Sequence, residues 1–169
     1  MIKIALDMMG GDNAPLSNIG GVVEFLSENS NSTKIYLVGK SDIISKELEL
    51  YPKIASKNFE IVNTSQIILP DDRPSRILKE KPDSSMVKSI NLLNDNIVDA
   101  VVSAGNTGCL LASSFFKLGT IKNIKRPALV ALIPSDNGNF LICDVGANSS
   151  AKPIHLLHFS KMASIYINN

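Results

Sequence analysis

The sequence predicts an α/β fold built on a mostly parallel sheet with helices on both faces. Short apolar runs alternate along the chain with amphipathic segments, an order that favours parallel strands joined by crossover helices. Three of the apolar runs end in loops of small and polar residues, which is where open α/β sheets bind ligands. A late pair of apolar runs is separated by a turn sequence, and this pair predicts one antiparallel hairpin.

The length and composition predict one globular domain over residues 1–169. Of the 169 residues, 44% are hydrophobic and 20% are charged, which is enough apolar material for a sizeable core. The 17 basic and 16 acidic residues give a formal charge of +1, and the chain has no Trp. Nucleic-acid-binding proteins need a basic surface and often stacking aromatics, so this class of function is disfavoured.

The cysteine pattern and the apolar runs predict a cytoplasmic protein without a membrane span. Cys109 and Cys143 are far apart and form no CxxC pair, which argues against a disulfide framework or a zinc site. The first apolar run ends at Asp7, too early for a signal peptide. No apolar run approaches the roughly 20 residues that cross a bilayer.

The first part of the chain predicts strand, helix, strand, helix and strand in turn. Residues 2–6 form the first strand, and the next segment is helical because its apolar residues recur at intervals of three and four: Ile19, Val22, Val23 and Leu26. The second strand, 34–38, stops at Gly39, and Ser41 is placed to cap a helix that continues to about residue 51. Residues 59–62 form the third strand.

The second part of the chain begins with an irregular stretch, 64–82, which contains three prolines. Asp83, Ser84 and Ser85 then supply caps for a helix whose apolar residues are Met86, Val87, Ile90 and Leu93. A buried strand, 98–103, leads into a further helix. Strands 129–133 and 140–145 flank the Asn137-Gly138 turn of the hairpin, and a last helix runs from about residue 154 to the end.

Loops that follow three of the predicted strands indicate an anion site, with phosphate as the expected ligand. These loops are 7–12, 103–108 and 144–148, and all three are expected to open on the same edge of the sheet. Glycine-rich turns that lead into helices direct free N–H groups and the positive end of the helix dipole at one point. A nucleotide site is not supported, because no GxGxxG motif follows the first strand and Gly39-Lys40-Ser41 lacks the earlier glycine of a Walker A motif.

Other clusters each admit two interpretations. Lys79, Lys81, Ser84 and Ser85 are either a solvated and capped helix start or the cationic and hydroxyl part of the anion pocket. Cys109 is either a nucleophile or a small core residue, and the core is favoured because no partner base is apparent; Cys143 is predicted to be core. His155 and His158 share a helix, where surface positions are favoured over a metal pair or a proton carrier.

Several blocks of the sequence together resemble one enzyme family. They are Asp7 to Pro15; Pro74 with Lys79, Lys81 and Asp83 to Met86; Ser103 to Gly108; Arg126 to Ala128; and Asp144 to Asn148. In this order and spacing they resemble the acyl-acyl carrier protein:phosphate acyltransferases of bacterial phospholipid synthesis. Cys109 stands where that family usually has Ala, and His158 to Ala163 replaces the usual Gln-Phe-Ala-x-Met-Gly. Family members are longer, so the resemblance implies that this chain is their N-terminal half.

The resemblance implies a fold, a reaction and partners. The fold is the three-layer α/β/α sandwich of isopropylmalate dehydrogenase-like and phosphate acetyltransferase-like proteins, incomplete in this chain. In the reaction, inorganic phosphate attacks the thioester of a long-chain acyl-acyl carrier protein and yields an acyl phosphate, with no cofactor and no metal. The implied partners are acyl carrier protein, phosphate and a second copy in a homodimer, with peripheral contact to the inner face of the cytoplasmic membrane.

The matched blocks also imply the site residues. Because phosphate is itself nucleophilic, the protein has to position it and stabilise an oxyanion. The expected catalytic residues are Asp12, Lys81, Asn106 and Asn148. The expected phosphate- and substrate-binding residues are Asp7, Gly10, Gly11, Ser84, Ser85, Ser103, Gly105, Thr107, Gly108, Asp144 and Gly146. Two alternatives stay open, a phospholigand-binding remnant without turnover and acyl transfer to coenzyme A.

Overall fold

A four-stranded, all-parallel sheet is the centre of the first of two compact units, Met1–Leu118 and Gly119–Asn169. The computed structural model describes residues 1–29, 32–52, 54, 58–136 and 138–168. The strands of the sheet are β1 (Ile2–Asp7), β2 (Thr33–Gly39), β3 (Phe59–Asn63) and β4 (Ala100–Val102). Their order is β3-β2-β1-β4. The chain therefore moves outward from β1 to β3 and returns to the other side of β1, so the strand order reverses between β1 and β4.

Helices cover both faces of this sheet, which confirms the predicted α/β fold. The helices of the first unit are α1 (Leu16–Asn29), α2 (Ser41–Leu48), α3 (Ile77–Glu80), α4 (Ser85–Asn94) and α5 (Thr107–Leu118). Side chains of a strand alternate between its two faces. Ile35 and Leu37 of β2 accordingly join a core with α1 and α2, whereas Tyr36 and Val38 join a core with Leu92 of α4.

The predicted caps of α2 and α4 are wrong, because neither helix has a side-chain cap hydrogen bond. The Ser41 amide at the start of α2 donates to the Asn63 side chain at 3.1 Å, and no side chain caps the helix from Lys40. Ser84 is the residue before α4, but its hydroxyl donates backward to the Lys81 carbonyl at 2.9 Å. Helix α2 also ends at Leu48, earlier than predicted.

The second unit contains a separate hairpin and one helix. Strands β5 (Val130–Ser135) and β6 (Gly138–Cys143) form a two-stranded antiparallel sheet, and α6 spans Pro153–Ile167. The hairpin is confirmed, with Gly138 at a φ of +110°, while Asn137 lies outside the described residues. The described part of the chain contains no helix long and apolar enough to cross a bilayer.

Candidate anion site

Asp7 is the buried junction of three segments at the point where the strand order reverses. The Ser103 hydroxyl, just after β4, donates to Asp7 Oδ2 at 2.8 Å, and the Met9 amide donates to Asp7 Oδ1 at 3.2 Å. The Ser85 side chain, at the start of α4, also hydrogen-bonds to this carboxyl group. Asp7 is only 2% exposed. Burial raises its pKa above the ordinary value, although hydrogen bonds from Ser85, Ser103 and the neighbouring amides act in the opposite direction.

Glycines let the loops after β1 and β4 come into backbone contact. A Cβ at Gly10 would lie 2.7 Å from the Gly105 carbonyl oxygen and 2.7 Å from Asp7 Oδ2. Gly11 and Gly105 have φ values of +97° and +114°, a region that residues other than glycine rarely adopt. The loops 7–12 and 103–108 are therefore brought together, as the sequence predicts.

Asn18 of α1 fixes the loop after β1, and the sequence analysis missed this residue. Its Nδ2 donates to the carbonyls of Asp7, Met8 and Gly10 at 3.3, 3.1 and 3.0 Å. With those carbonyls occupied by one amide, the loop is held in a single shape. The available signal was an amide side chain one turn into an amphipathic helix that directly follows a glycine-rich loop.

Asn106 caps the helix that follows β4. Its Oδ1 accepts a hydrogen bond from the Cys109 amide at 3.2 Å, and its Nδ2 donates to the Pro70 carbonyl at 2.9 Å. Thr107 is the first residue of α5, and a Cβ on Gly108 would lie 2.9 Å from the Pro74 ring. Asn106 thus joins the start of α5 to Pro70, which lies in the stretch 64–82 that the sequence predicts to be irregular.

Cys109 is a core residue, as the favoured interpretation predicts. The side chain is fully buried with Ile77, Met86 and Ile90, and its thiol lies 3.7 Å from the Asp72 carbonyl oxygen. Burial raises the pKa of this thiol, with the Asp72 charge acting in the same direction. A nucleophilic cysteine needs a lowered pKa and exposure, so this site does not support that role. Cys143, predicted to be core, is only half-buried.

The Lys81 ammonium is already engaged by the 67–72 stretch. Nζ forms an ion pair with Asp72 and donates to the Ile67 carbonyl at 2.8 Å. Ser84 donates to the Lys81 carbonyl, and Ser85 is directed to Asp7. Lys79 is exposed, which fits the solvated interpretation of that side chain.

A cleft of about 380 Å³ opens above these loops. Its lining is contributed by the loop after β1, the 67–70 stretch and the loop after β4: Met9, Gly11, Asp12, Ala14, Ile67, Ile68, Leu69, Pro70, Ala104, Gly105 and Asn106. Asp12 carries the one ionisable side chain among these lining residues, and no cation of the described chain lines the cleft. Apart from those already donated to Asp7 and Ser103, the backbone N–H groups of the two glycine-rich loops are therefore the positive ends available for an anion here.

The third predicted loop, 144–148, follows β6 of the separate hairpin and not a strand of the parallel sheet. Asp144 organises it: Oδ1 accepts the Leu129 amide at 2.8 Å, and Oδ2 accepts the Asn148 amide at 2.8 Å and its side-chain nitrogen at 3.1 Å. Burial acts to raise the pKa of Asp144, but these hydrogen bonds outweigh it and lower the pKa. Gly146, at a φ of +98°, closes the turn.

His155 and His158 are buried, so their predicted surface positions are wrong. They are 6% and 8% exposed. His155 Nδ1 accepts the Lys152 amide at 3.1 Å and caps α6, and His158 Nδ1 accepts the Lys125 amide at 3.5 Å. Burial lowers the pKa of His155, and the positive charges of Arg126 and Lys152 act in the same direction. Within the described ranges, no group of three or more His, Cys, Asp or Glu side chains could hold a metal ion.

Comparison with known proteins decides the family. Residues 2–169 match the family model described as fatty acid synthesis protein. The chain belongs to this family. A protein named phosphate acyltransferase from Clostridium botulinum is 45% identical over 168 residues, which is 99% of this chain and 50% of that protein. A protein of the same name from Fusobacterium nucleatum is 45% identical over 98% of this chain and 50% of its own length.

These findings confirm the resemblance that the sequence blocks carry. The chain spans about half the length of the curated family members it matches. A branched-chain phosphotransacylase from Enterococcus faecalis V583 superimposes with a TM-score of 0.61 over 99% of this chain and 51% of that one. At 13% identity the superposition shows a shared fold, consistent with the predicted phosphate acetyltransferase-like architecture.

Proposed function

We propose that residues 1–169 are the N-terminal half of an acyl-acyl carrier protein:phosphate acyltransferase and supply its phosphate-binding loops. Such an enzyme joins a long-chain acyl group to inorganic phosphate for phospholipid synthesis. The observation that carries the proposal is the cleft above β1 and β4, where two glycine-rich loops meet at the reversal of strand order. The names of the related proteins, matched over 98–99% of this chain, support the same reaction.

The chemistry asks the protein to hold phosphate and to stabilise negative charge. A phosphate oxygen forms a bond to the thioester carbon, the C–S bond breaks, and the carrier thiolate leaves with the electron pair. No acylated side chain is needed, so the buried Cys109 thiol fits this route. The backbone N–H groups of Gly11 and Thr107 are the proposed contacts to phosphate, because bare loops and a helix N-terminus suit an anion. The Gly105 N–H is already donated to Ser103 Oγ at 3.3 Å. Asp12 lines the same cleft and is the proposed proton acceptor or donor-orienting group.

On the basis of the family resemblance, we also propose the partners and the location of the enzyme. Acyl carrier protein is the proposed acyl donor, and the active form is a homodimer in the cytoplasm with peripheral contact to the membrane. Asn148, Asp144 and Gly146 are proposed to act with the second half of the fold, because in the described unit their loop is already closed by its own hydrogen bonds.

The direct test is acyl phosphate formation by the purified chain. Palmitoyl-acyl carrier protein and phosphate are incubated together, and acyl phosphate is trapped with hydroxylamine. Phosphate-dependent hydroxamate supports the proposal, and a preference for palmitoyl-coenzyme A would favour the alternative acyl donor. Phosphate binding without product would favour a binding remnant, and a folded chain that binds no phosphate would overturn the assignment of the cleft.

Matched glycine variants connect any activity to the cleft. Gly11→Ala adds a methyl group at a φ of +97°, against Ala104 in the cleft lining. Gly20→Ala adds the same group on α1, where no heavy atom lies within 4 Å of the new Cβ. Phosphate binding should weaken in Gly11→Ala and stay at the parental value in Gly20→Ala. Equal binding by both variants would count against the loop after β1 as part of the site.

A further inference from the structure

The wall of the cleft opposite the glycine-rich loops is a stretch without helix or strand, residues 67–72. Four of its residues line the cleft: Ile67, Ile68, Leu69 and Pro70. The wall thus has no ladder of backbone hydrogen bonds to fix its place, so its position depends on side-chain contacts.

One carboxylate makes two of these contacts. Asp72 Oδ2 accepts the Leu69 amide at 2.6 Å and pairs with the Lys81 ammonium, which also donates to the Ile67 carbonyl at 2.8 Å. Asn106 donates to the Pro70 carbonyl from the other side of the cleft. The wall is therefore tied to the 81–84 loop through Asp72 and Lys81, and to the start of α5 through Asn106.

We propose that Asp72 is a positioning residue for the phosphate cleft and that Lys81 acts through it, by holding the 67–72 wall in place, and not as a phosphate ligand. This inference rests on the proposed function of the same cleft. It assigns a role to a residue that none of the sequence motifs singled out, and it changes the role expected for Lys81.

Burial and charge support this assignment. The Asp72 and Lys81 side chains are 19% and 22% exposed, so the pair is mostly out of water. An ammonium that already has a carboxylate and a carbonyl as acceptors has little capacity left for a second anion. Burial acts to raise the pKa of Asp72, but hydrogen bonds from Lys81 and the Leu69 amide outweigh it and keep the carboxyl group ionised. Removing either partner leaves the other charge mostly buried without its counterion and removes one of the two ties of the wall.

The test compares Asp72→Asn, Lys81→Met and the double variant of the full chain, with Asp71→Asn as the matched control on an exposed neighbour. Two quantities are measured: hydrogen exchange of the amides of residues 67–69 without substrate, and the phosphate KM and kcat. If Lys81 acts through Asp72, each single change speeds exchange and raises the phosphate KM by about tenfold with a small change in kcat, and the double variant is no worse. Asp72→Glu should recover part of the protection.

Two results would overturn the inference. One is unchanged amide exchange of residues 67–69 in Asp72→Asn. The other is loss of phosphate binding in Lys81→Met while Asp72→Asn behaves as the parent, which would make Lys81 a direct ligand. A parental chain that binds no phosphate would refute the proposed function, whereas the exchange measurement would still decide whether Asp72 holds the wall.

Discussion

The Ser103 hydroxyl donates to the Asp7 carboxylate at 2.8 Å and so joins the ends of two adjacent parallel strands that are 96 positions apart in the chain. Neither residue is on the cleft surface, since Asp7 is 2% exposed and neither lines the cleft. The pair lies beneath the two glycine-rich loops and fixes their separation.

Replacing Ser103 by Ala should lower the free energy of unfolding by about 2 kcal/mol, because a buried carboxylate loses a donor. Ser27→Ala is the matched control, since that hydroxyl is exposed on α1 and donates to the Glu24 carbonyl. The control change should stay within about 0.5 kcal/mol. Urea unfolding of both variants measures the difference, and equal midpoints would show that the Asp7 contact adds nothing to stability.

Asp7 should make stability fall as the pH rises. Its pKa is raised in the folded state by burial, so the folded protein holds the proton more tightly than the unfolded chain does. The contribution of Asp7 to the free energy of unfolding is therefore largest at acid pH and decreases from about pH 4 upward, through the folded-state pKa. The difference between the parent and Asp7→Asn should decrease over this window in unfolding experiments at stepped pH. An increasing difference would mean that the hydrogen bonds, and not burial, dominate.

A methyl group at Gly10 should disrupt the contact between the two loops. The new Cβ would lie 2.7 Å from the Gly105 carbonyl oxygen, a backbone atom that cannot move alone. We expect Gly10→Ala to cost about 2 kcal/mol. Gly20→Ala in the open part of α1 should instead stabilise by up to about 1 kcal/mol through helix propensity. Chemical denaturation at a constant m-value separates the two, and a stable Gly10→Ala chain would show that the loops can part without cost.

His155 should make the second unit sensitive to mild acid. The pKa of His155 is lowered in the folded state by burial and by nearby positive charges, and its neutral Nδ1 accepts the Lys152 amide. Stability from this group is fully present above the ordinary histidine pKa of about 6.5 and is lost as the pH falls through the folded-state pKa. NMR titration of the imidazole signals gives the pKa, and amide exchange at Lys152 follows the cap.

His155→Gln is the informative variant for this prediction. A glutamine at the third position of a helix can accept the same amide in a capping box but does not titrate. The cap should then persist at acid pH. Acid-dependent loss of the cap in both proteins would assign the effect to another group.

The order of elements in the first unit was predictable because its signal is local. Short apolar runs predicted β1 and β2, and apolar residues at intervals of three and four predicted α1 with its core residues Ile19, Val22 and Leu26. The glycines at positions 10, 11 and 105 also predicted the close contact of the two loops, since each allows a backbone conformation or a close approach that other residues prevent. Residue type and spacing are enough for such features.

Contacts between distant segments were not predictable in this way. The sequence suggested Ser84 as a cap and Lys81 as either a solvated cation or a part of the anion pocket. In the structure Ser84 donates to the Lys81 carbonyl, and Lys81 pairs with Asp72. It also suggested surface histidines, but both are buried, and Nδ1 of each accepts a backbone amide. In each case several partners were chemically suitable, and only the folded backbone brought one of them within hydrogen-bond distance.

The sequence by itself determined the α/β class, the succession of strands and helices in Met1–Leu118, the two glycine-rich loops that meet above β1 and β4, and the family. The tertiary structure decided which polar groups those loops enclose, with Asp7 buried beneath them. It also decided that Asp72 and Asn18 hydrogen-bond to the surrounding backbone. Finally, it decided that β5 and β6 form a sheet separate from the parallel one. The physical reason is that backbone preferences and apolar periodicity act over a few residues, whereas the partner of a polar side chain is selected by burial and by which distant segment the fold places beside it.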